Sequence, residues 1–249
     1  MSAPSLTVVV LTKNEEQNIV DCLASASWAD GLVVFDSLSE DRTVALAQMV
    51  GATVLERPFR NYADQRNAAL DQVTGDWVFF LDADERATPE LAEEIRRVIA
   101  QEDRVGWWVP RRNYIWGKWI KHAGWSPDYQ LRLLRRGRAR YDPAREVHEV
   151  VVLDGAEGYL ENPLTHYNYQ TLGQFMRKQE RYMAYEVQIL HKQGVRARLY
   201  KFASQPLKEF WRRYVTLEGY KDGMHGLVLS ALMGYYMFRA YQHLRKLPA

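Results

Sequence analysis

Three acidic positions in this chain share a setting that chemistry can use. Glu15, Asp36 and the triplet Asp82-Ala83-Asp84 each lie at or just after the end of an apolar, strand-like run. In an open α/β sheet, ligands gather beyond the carboxyl ends of the strands, so the three are expected to converge. A carboxylate pair two residues apart, after Val78-Phe79-Phe80-Leu81, can hold Mg²⁺ or Mn²⁺ through one or two oxygens. The remaining coordination positions are left to a diphosphate and water. A cation held there offsets the negative charge that builds on a departing nucleoside diphosphate. Asp-x-Asp alone is often a solvated turn; its place after a hydrophobic strand makes it a candidate site.

The elements that must position these residues follow from the pattern. Residues 6–11 form a continuous apolar, β-branched run, as expected of a strand covered on both faces. Asn14 predicts an N-cap for a helix reaching about residue 26, with Ile19, Cys22, Leu23 and Ala26 on one side. A strand over 31–35 ends at Asp36, followed by a helix over 43–50, a strand over 53–55 and a helix over 62–72. Gly75-Asp76 turns the chain into a strand over 77–81, and Thr88-Pro89 supplies an N-cap and first-turn proline for a helix over 90–100. This alternation predicts a mostly parallel sheet with right-handed crossovers. Beyond Gly106 the texture changes, and residues 107–110, 114–120, 131–134 and 147–153 predict shorter strands of a mixed or antiparallel edge. From Leu172 the pattern is helical to the end, with Pro206 expected to mark a helix start. The expected organisation is a catalytic domain over 1–170 and a helical, membrane-associating extension over 171–249.

Composition bounds the function. With 249 residues, 47% hydrophobic and 26% charged, the chain reads as globular. Its single cysteine, Cys22, rules out an internal disulfide, fits a reducing compartment and reads as a buried helix residue. The N-terminus shows no secretory pattern. The longest apolar stretch, 226–238, is broken by Ser230 and Gly234, short of the roughly 18 to 20 residues a membrane span needs. A cytoplasmic location is expected. The net charge of +2 conceals 14 Lys/Arg against 5 Asp/Glu from Leu172 onward, leaving 19 against 26 before it. An acidic front half suits a metal site and would repel a phosphate backbone, so nucleic-acid binding is not expected. The tail interleaves aromatics with cations in Leu199-Tyr200-Lys201-Phe202, Phe210-Trp211-Arg212-Arg213-Tyr214 and Tyr235-Tyr236-Met237-Phe238-Arg239. That suits a helix at the headgroup boundary on the inner face of the cell membrane; packing on the domain or dimerisation is the alternative.

Several of these motifs together resemble a known family. Val8-Val9-Val10-Leu11-Thr12-Lys13-Asn14-Glu15-Glu16, Asp36-Ser37 with Asp41-Arg42-Thr43, Arg66-Asn67-Ala68-Ala69-Leu70, and Gly75-Asp76-Trp77 through Asp82-Ala83-Asp84-Glu85 occur in order. The set resembles family 2 glycosyltransferases of the GT-A fold, a nucleotide-diphospho-sugar transferase architecture with a Rossmann-like mixed sheet. Gly124-Trp125-Ser126-Pro127-Asp128 with Arg132-Leu133, and Val147-His148-Glu149, resemble the lipopolysaccharide-core β-glucosyltransferase branch. Asp222-Gly223 and Gly226-Leu227 in the tail resemble that branch less tightly.

The resemblance implies roles. Thr12, Asn14, Glu15, Asp36 and Ala83 would lie along the nucleotide, with Glu15 and Asp36 accepting from base and ribose; capping of a helix by Glu15 and of a loop by Asp36 are the plain alternatives. Arg66 would meet the donor phosphates or be a helix-surface charge. Asp82 would face the nucleotide and Asp84 would be the more direct metal ligand, with His148 as a further metal or diphosphate ligand. Arg132 would brace the diphosphate or orient Asp128. Family members invert the anomeric centre, so a carboxylate must take the acceptor proton; Asp128 is the first candidate and Glu149 the second, although Pro127 departs from the common Glu-Asp signature. The Trp-rich stretch 107–125 reads mostly as core, with some rings suited to sugar stacking. The implied activity is transfer of a hexose, UDP-glucose being the favoured donor, to a lipid-linked saccharide such as a lipopolysaccharide core sugar. A polyprenyl-phosphate glycosyltransferase and an inactive nucleotide-sugar-binding scaffold are the alternatives.

Overall fold

The computed structural model describes residues 3–101, 103–143 and 150–247. In chain order the elements are β1 (Leu6–Thr12), α1 (Ile19–Ser25), β2 (Gly31–Asp36), α2 (Thr43–Met49), β3 (Thr53–Glu56), α3 (Tyr62–Gln72) and β4 (Trp77–Asp82). They continue as β5 (Glu85–Arg86), α4 (Pro89–Ile99), β6 (Gly106–Ile115), β7 (Lys118–Trp119), β8 (Tyr129–Arg135) and β9 (Ala139–Tyr141). Then come β10 (Val151–Leu153), β11 (Glu157–Tyr159), β12 (Leu164–Tyr169), α5 (Leu172–Lys192), α6 (Lys201–Trp211) and α7 (Met224–Leu244). By its internal packing the chain divides into two compact units, one of residues 1–111 and 128–166 and the other of 112–127 and 167–249. The division falls after His166, and the 112–127 segment joins the C-terminal unit.

The first unit is built on the parallel order β3-β2-β1-β4. Val8, Val9 and Val10 are fully buried because both faces of β1 are covered; each is worth roughly 1.5–3 kcal/mol relative to exposure. The register places Thr12 opposite Asp36 on one side of β1 and Leu11 opposite Asp82 on the other. Two carboxylates therefore leave the sheet at the same edge. The expected mixed edge is present: β8 runs antiparallel to β4, and β6 antiparallel to β8 with an irregularity between Trp107 and Trp108. β5 and β12 pair antiparallel, with His166 opposite Glu85. Trp107 packs into the core of this unit.

Two expected helix starts are corrected. Asn14 does not cap α1: it takes a left-handed backbone with φ 57°, and the helix begins at Ile19. The Glu15 carbonyl accepts from the Asn18 and Ile19 amides, both at 2.9 Å, so a tight turn intervenes. Pro206 does not start α6 but lies inside it. The turn before it is already hydrogen-bonded, Lys201 N to the Arg198 carbonyl at 2.9 Å, so the helix is under way before the residue that cannot donate. Thr88 does cap α4, accepting from the Leu91 amide at 3.2 Å.

The second unit packs Ile115, Ile120, Tyr169, Phe175, Leu229 and Tyr236 into its own core, with Trp116 and Trp125 against it. Asp222, buried just before α7, accepts from the His122 amide at 2.8 Å and the Lys121 amide at 3.3 Å. Its own carbonyl accepts from Lys118 Nζ at 2.7 Å, so one residue ties down the 118–122 segment. Gly226 is required by close approach, since a Cβ there would stand 1.8 Å from the Gly219 carbonyl oxygen.

Candidate active site

The corner between β1 and β2 is closed by neutral donors. The Asp36 carboxylate accepts from Thr12 Oγ1, Ser39 N and Ser39 Oγ, each at 2.6 Å, and has no exposed surface. The loops after β1 and β2 are knitted together: Asn14 N donates to Ser39 Oγ and its Oδ1 accepts from Glu40 N, both at 2.8 Å. Glu15 N donates to Thr43 Oγ1 at 2.7 Å. Thr12, Asn14 and Asp36 thus hold the loops after β1 and β2 together. The Glu15 carboxylate projects further and accepts from Asn18 Nδ2 at 2.8 Å. Burial, and then the charges of Asp84, Asp41 and Asp82, push its carboxyl above the ordinary value despite that bond.

The corner between β4 and β8 is closed by cations. Asp82 accepts from Arg132 through both oxygens, with Nη1 at 3.1 Å from Oδ1, and from Arg66 Nη2 at 3.3 Å. Burial would raise its carboxyl, but Arg132 and then Arg66 outweigh burial and hold it far below the usual carboxylate range. Glu85 has no exposed surface and accepts from Asp82 N at 2.9 Å, Arg111 Nη1 at 3.1 Å and Arg132 Nη2 at 3.5 Å. Arg111 continues the chain to Asp128 Oδ2, with Nε at 3.0 Å and Nη2 at 2.8 Å, while Gln130 Nε2 donates to Oδ1 at 3.0 Å. Three carboxylates meet three guanidiniums, so this cluster is close to electrically neutral. Desolvation would otherwise make each buried charge costly by several kcal/mol.

Arg66 is no helix-surface charge. It is buried, 5.1 Å above the Phe80 ring and 5.6 Å from that of Tyr141. Neighbouring Asn67 fixes that second ring's strand by exchanging two 2.9 Å bonds with the Tyr141 backbone. Arg132 addresses Asp82 and Glu85, and it is Arg111 that holds Asp128.

Asp84 stands apart from the neutral cluster. His166 Nε2 lies 3.4 Å from its Oδ2, brought there by the β5–β12 pairing. Ala83 between the two aspartates is buried, and its carbonyl accepts from Arg86 Nη1 at 2.8 Å. With Glu15 at the same corner, the donors are hard carboxylate oxygens, which suits Mg²⁺ or Mn²⁺. Among the described residues no three His, Cys, Asp or Glu side chains form a ready-made cage. One or two carboxylate oxygens would leave an ion's other positions to a diphosphate and water. His148 and Glu149 lie outside the described residues. Cys22 is buried, burial pushes its thiol up, and it carries no chemistry.

Glu85, Arg111 and His166 join the candidate site although the sequence assigned them no role. Glu85 ends the Asp82–Glu85 run and was visible as a fourth acidic position. Arg111 and His166 carry no local signal; only strand pairing brings them in.

Residues 7–164 match the model of glycosyl transferase family 2. The chain is 31% identical over 245 residues to the lipopolysaccharide core biosynthesis glycosyltransferase LpsC of Rhizobium meliloti, covering 94% of this chain and 89% of that protein. It is 26% identical over 254 residues to an uncharacterized glycosyltransferase of Rickettsia typhi, covering 97% and 87%. Among solved structures, glucosyl-3-phosphoglycerate synthase of Mycobacterium tuberculosis, bound to Mn²⁺, UDP-glucose and phosphoglyceric acid, is similar over 44% of each chain. The identity there is 25% and the TM-score 0.40.

Proposed function

The chain belongs to glycosyl transferase family 2 and has a GT-A-like fold, and on that basis we propose that it transfers a hexose, with inversion, from a nucleotide-diphosphate sugar to a lipid-linked saccharide. The observation that carries this reading is the division of the acidic edge. Asp82, Glu85 and Asp128 are paired with arginines, whereas Asp84 stands beside His166 and near the partly buried Glu15, a set of oxygen and imidazole donors suited to a cation that also meets a diphosphate. The similarity to a lipopolysaccharide core enzyme favours a core-type sugar as acceptor and the cytoplasmic membrane face as the place of work. UDP-glucose is the first donor to test.

Asp84 would hold the divalent ion, with His166 beside it and His148 as a further ligand. When bound, that ion supplies charge compensation for the departing diphosphate. Asp82 is kept ionised and in place by Arg132 and Arg66, so it presents a carboxylate of unchanging shape. Glu15 would accept from the nucleotide. Asp128 would take the proton from the acceptor hydroxyl as that oxygen attacks the anomeric carbon. Arg111 fixes its Oδ2, leaving Oδ1, shared with Gln130, to receive the proton. Glu149 is the second candidate for this step.

The test is a product assay with UDP-glucose and other nucleotide sugars, Mn²⁺ or Mg²⁺, and a heptose-containing core acceptor, with the new linkage assigned by NMR. A β-linked product formed only with metal supports the reading. Turnover undiminished in EDTA, or an anomeric configuration retained from the donor, overturns it.

A further inference from the structure

Among the described α-helices, α6 alone contains no buried residue, and the helical turn that continues it over Arg212–Thr216 has none either. One side of it is in use: Phe202 packs edge-on to Phe238 and Tyr241, with centroids 6.0 and 6.4 Å away. The Pro206 carbonyl lies close against Gly234 of α7, where a Cβ would come within 3.1 Å of it. The opposite side is apolar as well, yet it faces solvent. Tyr200 is 61% exposed, Leu207 67%, Trp211 62% and Val215 37%. Their numbers step by seven, four and four, which places them on one helical stripe. Leu199, at the edge of this stripe, is 76% exposed. An exposed leucine alone needs no explanation, but an aligned set that includes a tryptophan marks an interaction surface.

The surrounding charge identifies the partner. Residues 192–217 contain seven Lys or Arg and one acidic residue, Glu209. That glutamate is occupied by Arg212 Nε at 2.9 Å and Arg213 Nε at 2.6 Å. The stripe is therefore bordered by cations such as Arg198 and Lys208, both exposed. Where Phe202 begins the helix, a hollow of about 550 Å³ has Arg239, Arg245 and Lys246 on its walls. No described helix is long and apolar enough to cross a membrane, so a lipid contact here lies in the plane of the interface. Tryptophan and tyrosine suit that layer, apolar in body and polar at one edge.

We propose that α6 and the turn after it form a membrane-docking face: Tyr200, Leu207, Trp211 and Val215 enter the headgroup region of an anionic bilayer, and the flanking cations meet lipid phosphates. This extends the reading of a lipid-linked acceptor, and it rests on that reading only for its purpose, since the exposed stripe and its charge stand independently. The full chain is tested by flotation with vesicles of phosphatidylcholine alone or mixed with phosphatidylglycerol, alongside metal-dependent donor hydrolysis without vesicles. The native protein floats with the mixed vesicles, less so as salt rises. Leu207→Ser with Trp211→Ser weakens flotation by about tenfold or more, while circular dichroism and hydrolysis in solution stay unchanged. Failure of the native chain to bind anionic vesicles overturns the proposal, as does equal flotation of the double variant. A dimer in vesicle-free sedimentation that the double variant abolishes also overturns it, by assigning the stripe to a second copy. Absence of donor hydrolysis in both proteins would instead refute the proposed function and leave the flotation result standing.

Discussion

At the β1–β2 corner a carboxylate at the end of a strand is satisfied by two hydroxyls and an amide; at the β4–β8 corner its counterpart is satisfied by guanidiniums. Asp36 and Asp82 leave the sheet on either side of β1 and look equivalent in the sequence. Their partners make them different things. Neutral donors fix a loop and leave a charge in place, whereas arginines cancel the charge and link it through Glu85 and Arg111 to Asp128. Asp84 lies outside this arginine chain, beside His166 and with Glu15 near it. Position at a sheet edge nominates a carboxylate, and the partners it is given decide its use.

The largest effect is expected at the link between the cations. Glu85→Ala leaves Arg111 and Arg132 short of a buried partner, and should cost about 3–5 kcal/mol in urea unfolding, with turnover falling as Asp82 and Asp128 lose their common anchor. A cost below about 1 kcal/mol would mean that the β4–β8 corner is solvated rather than closed by ion pairs. Next, Asp128→Asn should slow turnover by about 10²- to 10⁴-fold, with the donor KM nearly unchanged. Retained turnover would move proton acceptance to Glu149.

The β1–β2 corner should respond in stability and not in metal response. Asp36→Ala removes three hydrogen bonds and should lower unfolding free energy by about 1–3 kcal/mol, while a Mn²⁺-dependent thermal shift with UDP persists. Loss of that shift at full stability would make Asp36 a nucleotide contact instead. The smallest effect is in acid. Because the folded state holds the Asp82 carboxyl below its unfolded value, its contribution is complete above about pH 4 and drains away as pH falls further. Asp82→Asn should flatten the loss of stability between about pH 4 and pH 2 by about 1 kcal/mol, read from urea midpoints at each pH. An unchanged slope would place the charge pairing elsewhere.

Much of this corner was legible before the fold. The buried run of β1, the strand ends at Asp36 and Asp82, and the Thr88 cap follow from periodicity and local chemistry, so the parallel half and its acidic edge could be read directly. Arg111 and His166 were not readable, because their places depend on antiparallel registers set far along the chain, one across the irregularity at Trp107 and Trp108. Asn14 misled because the residue that favours capping also tolerates a left-handed turn, and the turn won. Pro206 misled because a proline several residues into a helix reads locally like a start. The aromatic tail was read as a composition; only the exposures along α6 separate the rings that pack from those that do not.

Calorimetric titration of UDP in the presence and absence of Mn²⁺ tests most directly whether Asp84 carries the metal-dependent site. The native chain should bind UDP far more tightly with Mn²⁺ than without, and Asp84→Ala should weaken the metal-dependent binding by at least about a hundredfold at unchanged stability. Equal Mn²⁺-dependent affinity in the variant, or UDP binding indifferent to Mn²⁺ in the native chain, would contradict it.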